Sequence, residues 1–513
     1  QMCIRDSYTY FEFAKKRSRI MSIDLITRES RELYRQDAPP DVGGLSVSPD
    51  GKELVFKTLA PDDLQILKAI PLPGGPPREI IRAKSSAFGV SLSVHAAFCW
   101  TPDGKRILFF RDVGQGQAKK SELCSVPKEG GEIQGHGLFV EGSPDVLGLH
   151  PDGRRIAYAV SREAAEVWVM ENFLPAAPAP AAEAESVQTR QVWDNAIDSY
   201  FWGAPSPDGK RLTYVDWDNF ANLGIRDLAT GESRLLTDNK SWETGVMCYQ
   251  SVFSPDGRRI AYAWQTEEGP VELRTIGIDG SGSRVLNDGK DTASQQVGAW
   301  SQDGKQILAY RYRPDRTIEI IFVSVEDGSV RLVKTLEGLG AVSLRLCLSP
   351  DGRYVAYSCP RPQDKANIDI FIVSADGGRE MSIISHPAED AVIGWAPDGK
   401  RLLFKSDRTG STGLWSIAVA EGLPQGEPRL LKMDLGDFSS LGLTRDGCLF
   451  YGLYSGWSDI FIASLDPETG KVLSQPVKTI LRNEGRNSAP DWSPDGEMIA
   501  CRTSGSSVEP GHA

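Results

Sequence analysis

The chain has 513 residues, more than one small domain needs, and its 40% hydrophobic and 25% charged residues are the make-up of an ordinary globular protein. Against 57 Lys and Arg stand 69 Asp and Glu, a formal charge of −12, which argues against nucleic acid or an anionic membrane surface as partner. No run of eighteen apolar residues is present, so direct membrane insertion is not expected, and the start shows no signal-peptide pattern.

Taken from the beginning, residues 1–7 fit no later pattern and read as a non-native scar. Residues 20–34 read as a leading partial unit of the repeat described next, a partial blade. The first sharp signal follows at Ser48-Pro49-Asp50-Gly51. Proline presets φ for the second position of a turn, aspartate suits the third, and glycine takes the left-handed conformation, so a hairpin turn with a bulge at the glycine is predicted. Asp-Gly then returns at Asp103, Asp152, Asp208, Asp256, Asp303, Asp351, Asp398, Asp446 and Asp495, at intervals of 47 to 56 residues. Eight of the ten copies keep the proline; Gln302 and Arg445 replace it in the others.

The strand after each turn is as regular as the turn. Four residues beyond the aspartate stands a large apolar side chain (Leu54, Ile107, Ile156, Leu212, Ile260 and so on), and six beyond it usually an aromatic, as in Phe56, Tyr158, Tyr262 and Tyr357. The residue between is often apolar too, so both faces of the strand have to be covered. Further strands follow within each period: 318–325 runs into Asp327-Gly328, and 368–373 into Asp376-Gly377-Gly378. Four short strands per period, each sheet covered on both sides, predict an all-β fold of four-stranded antiparallel propeller blades, ten motifs in all.

Between Asp152 and Asp208 the interval is widest and holds a Pro/Ala/Glu stretch, the composition of a semi-rigid linker. The expected organisation is therefore a partial propeller over 8–174 with three motifs, a linker over 175–190, and a seven-motif propeller over 191–513. Both true ends are expected to be missing, the C-terminus by truncation. Whether the blades close as one ring or two, or stand in permuted order, is left open by the pattern.

The unit Ser-Pro-Asp-Gly-[Lys/Arg]-x-[Ile/Leu]-[Ala/Leu]-[Tyr/Phe] resembles the repeat of bacterial TolB-like propellers, also seen in the propellers of tricorn-type and prolyl-oligopeptidase-type peptidases. Ser406-Asp407-Arg408-Thr409-Gly410 before Leu414-Trp415 is similar to that family's connector. The resemblance covers roughly 8–174 and 191–505 and implies a periplasmic or other extracytoplasmic setting in a bacterium. It speaks for fold more than for function, because the repeat is architectural.

Chemistry is sparse. There is no G-x-S-x-G elbow and no phosphate-binding loop, and the five histidines are dispersed. The motif aspartates repeat around rings and cannot converge on one site; they read as turn builders. Asp216-Trp217-Asp218-Asn219 opens like a calcium loop but lacks the glycine and the distal glutamate. No catalytic residue, cofactor or metal site is expected. In antiparallel blades the Asp-Gly turns share one rim, so the longer connectors and the blade-to-blade crossovers share the other. Loops on a rigid scaffold are where recognition concentrates. The candidate partner-binding rim is Trp217, Asp218, Asn219, Trp242, Arg313, Asp315, Arg316, Arg361, Asp364, Lys365, Asp407, Arg408, Trp457 and Asp459. The expected role is a non-catalytic scaffold for a protein or peptide partner. The alternative is the gating propeller of a peptidase whose catalytic domain lies outside this chain; a small ligand in the central channel is a third option.

Overall fold

The computed structural model describes residues 5–12, 17–24, 26–37, 42–59, 64–72, 74–84, 98–113, 120–174, 187–194, 202–241, 244–267, 269–338, 344–361, 364–466, 469–479 and 485–505. These residues are almost entirely strand and turn. Two compact units emerge, 1–163 with 456–506 and 164–455 with 507–513. The division falls inside two long strands, Arg155–Glu171 and Leu449–Ser464, so each gives one half to each unit.

The turn that carries the repeat is built as its sequence dictates. At Ser48-Pro49-Asp50-Gly51 the Gly51 amide donates to Ser48 O at 2.8 Å, with Gly51 at φ 70°. The Asp50 carboxylate accepts from the Ser48 hydroxyl (2.7 Å) and from the Lys52 amide (3.1 Å), and the Glu53 amide donates back to Ser48 Oγ (2.9 Å). Ser206–Asp208, Ser254–Asp256, Ser301–Asp303 and Ser349–Asp351 repeat the hydroxyl contact at 2.6 Å. The aspartates are thus consumed by their own turns. The leading hydroxyl residue is an equal partner that the Pro-Asp-Gly reading passed over.

These hydrogen bonds hold the carboxyls of Asp208 and Asp256 below their ordinary value, the serine hydroxyl being the largest cause in each. A depressed folded pKa contributes stability that is complete above the unfolded value, about 3.9, and is lost as pH falls through the folded one. Thermal melts are therefore expected to be nearly flat from pH 7 to 5 and to fall below about pH 4. An Asp256→Asn chain should melt below the parent at pH 7, and the difference should shrink as the medium is taken toward pH 2–3. A constant difference down to that pH contradicts the turn chemistry.

In the unit 164–455 six sheets follow one another. The first has Arg211–Asp216, Asn222–Asp227 and Ser233–Leu235, with a bridge from Pro205 to Leu212 at its inner edge. The second to fifth are four-stranded and antiparallel, opening on Met247–Phe253, Ser294–Trp300, Arg345–Leu348 and Asp390–Trp395. The sixth is composite: Phe438–Leu443 and 449–455 come from the end of the segment, 164–171 and Gln188–Trp193 from its beginning.

Six buried clusters join these sheets pairwise. Ile225 and Tyr262 belong to the cluster between the first and second sheets, Ala261 and Ile307 between the second and third, and Leu308 and Tyr357 between the third and fourth. Ile372 and Phe404 belong to the next, and Leu403 and Phe438 to the one between the fifth and sixth. The last closes the circle: Val169 and Phe450 of the sixth sheet pack with Leu212 and Tyr214 of the first. Each motif strand is therefore covered on both faces, as its apolar pattern demands; Ile260, Ala261, Tyr262 and Ala263 are all buried. A ring of six blades closed in this way is a β-propeller.

In the unit 1–163 with 456–506, four successive sheets are joined by three such clusters, through Ile20 and Phe56, then Val55 and Phe109, then Phe110 and Tyr158. The fourth sheet is again composite, its outer strands 456–464 and Val477–Lys478 coming from the far end of the chain. Gly485–Trp492 and Ile499–Gly505 form a further hairpin, against which His150 sets its ring edge-on to Trp492 at 4.7 Å.

Candidate functional site

The six inner edges of the closed ring surround a channel. Six residues before each motif aspartate, the ring carries Trp202, Gln250, Val297, Arg345, Val392 and Ser440, and all six line one cavity of ≈ 120 Å³. The repeat thus maps equivalent positions onto one axis. Among them Arg345 is the single charged residue.

A second cavity, ≈ 350 Å³, adjoins the connector rim and shares Arg345, Val392, Ile393 and Ser440 with the first. Its other walls come from second strands (Ser358, Pro360, Lys405), from first and third strands (Ile368, Ala391, Phe438, Ser439) and from Glu389 just before a first strand, in three consecutive blades. That volume lies at the low end of the roughly 300–1,000 Å³ usual for ligand pockets. The Lys405 ammonium is committed, to Asp437 at 2.5 Å and to Phe438 O at 3.2 Å. Among the described residues Arg345 has one hydrogen bond, from Nη1 to Ser440 O at 3.3 Å, and no carboxylate oxygen within ion-pair distance. Burial pushes its guanidinium pKa down, the Tyr310 phenol opposing.

The residues expected on the rim are distributed as follows. Trp217–Asn219 forms one turn of 3-10 helix, capped by Asp216, whose two carboxylate oxygens accept from the Asn219 amide (3.1 Å) and side chain (2.9 Å). Trp217 meets Trp202 edge-on at 5.4 Å, which ties this connector to the channel wall. Arg313 pairs with Asp291 of the preceding crossover at 2.6 Å, Asp315 accepts from the Thr317 amide and hydroxyl, and Arg316 turns the chain at φ 70°. Arg361 and Asp364 face each other across the tip of a hairpin that Lys365 continues. Asp407 accepts from the Glu389 amide at 3.0 Å.

Arg408 is no rim side chain: 11% exposed, it donates to the fully buried Asp390 at 2.6 Å and lies over the rings of Phe404 and Trp415. Trp457 and Asp459 belong to the other unit, within a strand rather than a connector, with Asp459 buried and paired to Lys478 at 2.7 Å. Trp242 lies outside the described residues. The residues that line the channel mouth were largely missed by sequence reasoning, although a lone arginine in the apolar strand Arg345–Leu348 was the available signal.

In the other unit a cavity of ≈ 490 Å³ contains His136, Ser125 and Arg106. His136 Nε2 stands 2.8 Å from Ser125 Oγ, but that hydroxyl also accepts from Arg106 Nε at 2.9 Å. Arg259 donates to Thr275 Oγ1 in the same way in the six-bladed ring, which makes the contact scaffolding of the repeat. Burial lowers the His136 pKa. Among the described residues no three His, Cys, Asp or Glu gather in a metal-ligating group, and no helix is long and apolar enough to cross a membrane.

The architecture is that of a β-propeller, and the resemblance to TolB-like propellers extends to known proteins. A TolB from Acinetobacter baumannii is similar in structure at 14% identity, over 75% of this chain and 80% of that one, with a TM-score of 0.31. In sequence the chain is 25% identical over 287 residues to protein Atu1656 of Agrobacterium fabrum, covering 55% of this chain and 91% of that protein. It is 26% identical over 215 residues to the peptidase YuxL of Bacillus subtilis, covering 40% of this chain and only 29% of that one. No family model matches.

Proposed function

We propose that the six-bladed ring is a non-catalytic binding module that takes a protein or peptide partner on its connector rim, across the mouth of the channel. The observation that carries this reading is the ≈ 350 Å³ cavity at that mouth, walled by three blades with half-buried apolar groups (Pro360, Ile368, Ile393) beside polar groups (Ser358, Ser439, Lys405). Such a mixture fits an extended segment, whose side chains need apolar contact and whose backbone needs hydrogen bonds. Around it, Trp217, Arg313, Asp315, Arg316 and Asp407 would extend the contact, arginine and tryptophan being favoured at interfaces.

Arrays of random synthetic peptides probed with the full chain test the reading. Sequence-selective binding is expected, weakened at least tenfold by Ile368→Ala or by Trp217→Ala in chains that keep the parent circular dichroism. Binding to no peptide, or binding indifferent to both substitutions, contradicts it.

One observation favours the second reading, a gating propeller: the relative named as a peptidase extends well beyond its matched stretch. A hydrolase domain encoded in frame with this chain would support gating, and a receptor or kinase domain there would count against it.

A further inference from the structure

We propose that Arg345 makes the channel a carboxylate-reading site, gripping the terminal carboxylate of a peptide threaded from the connector mouth or the carboxylate of a small free acid. The inference rests on the partner-binding reading of the same mouth and assigns the chemistry it recognises.

Three observations converge on it. Arg345 occupies the one charged place among six equivalent channel positions, so the repeat does not require it there; Val297 and Val392 serve the same position in the flanking blades. A guanidinium offers five donors in a planar fork, and the half-buried Arg345 presents that fork to the channel. Among the described residues a single bond, to Ser440 O, uses one of them, and no carboxylate pairs with it. Finally, Arg345 lines both the inner cavity and the mouth cavity, so its remaining donors lie where a ligand entering from the rim would end.

The neighbouring charges do not compete for this role. Lys405 is neutralised by Asp437. Glu389 is exposed at the mouth and repels an incoming anion weakly, through solvent. Arginine with carboxylate forms two parallel N–H···O bonds, a geometry that lysine cannot reproduce and that an amide end cannot exploit.

The test uses the full chain and two peptide arrays of identical sequences, one with free C-terminal carboxylates and one amidated, with succinate as the small-acid probe in saturation-transfer NMR. Peptides on the free array are expected to bind at least tenfold more tightly than their amides, with Arg345→Leu removing the difference and Arg345→Lys restoring only part of it. Because leucine is apolar and sits between apolar blades, Arg345→Leu is expected to melt no lower than the parent, which separates lost binding from lost folding. Succinate bound through Arg345 while neither array binds would assign the site to small acids and sink the peptide reading alone. Equal binding to both arrays, untouched by Arg345→Leu, overturns the carboxylate site and leaves the peptide reading standing. No binding of either probe overturns both.

Discussion

Truncating Phe450 to alanine is expected to cost about 3–5 kcal/mol, a fall in melting temperature of roughly 10 °C. The ring is 1% exposed, in the cluster that joins the composite sixth blade to the first. Around it stand Ala165, Val167 and Val169 from the beginning of the segment and Leu212 and Tyr214 from the next blade. Strands pinned on both sides leave little room for collapse, so the cavity should persist and the loss should sit at the upper end of the range. The control is Leu332, apolar but 51% exposed on the outer strand of the third blade; Leu332→Ala should stay within about 0.5 kcal/mol. Urea unfolding of the two variants checks both values.

Removing the guanidinium of Arg408 by Arg408→Ala is expected to cost a comparable 3–5 kcal/mol, for an electrostatic reason. Asp390 is 0% exposed and its Oδ1 accepts from Arg408 at 2.6 Å, while Oδ2 has no other hydrogen bond among the described residues. Without the arginine a buried carboxylate is left with no counter-charge, and the stacking of the cation over Phe404 and Trp415 is lost as well. Replacing both partners, as Asp390→Val with Arg408→Met, should recover most of the loss, because an apolar pair needs no desolvation. If the double variant is as unstable as Arg408→Ala, the pair is not the cause. Peptide binding per folded molecule should be unchanged by Arg408→Ala, since the side chain is spent on the blade.

Much of this fold was legible because its determinants are local. The Ser-Pro-Asp-Gly turn closes on itself through bonds no more than five residues apart, and the strand after it declares its double burial in consecutive apolar side chains. Closure was not legible. The sixth blade brings Val169 beside Phe450, and no periodicity relates segments so far apart. The grouping of 456–506 with 1–163 escaped for the same reason. At the site, exposure was the difficulty: Arg408 and Asp459 look like loop charges in sequence, and tertiary partners bury both. Arg345 looked like a strand residue, and only the ring places it on the axis.

The closed ring itself is tested most directly by a double-mutant cycle between Val169→Ala and Phe450→Ala, at the two ends of the segment 164–455. A shared cluster predicts a coupling energy of about 0.5–3 kcal/mol in urea unfolding. Additivity to within about 0.3–0.5 kcal/mol would place the two side chains in separate environments and contradict closure through a composite blade.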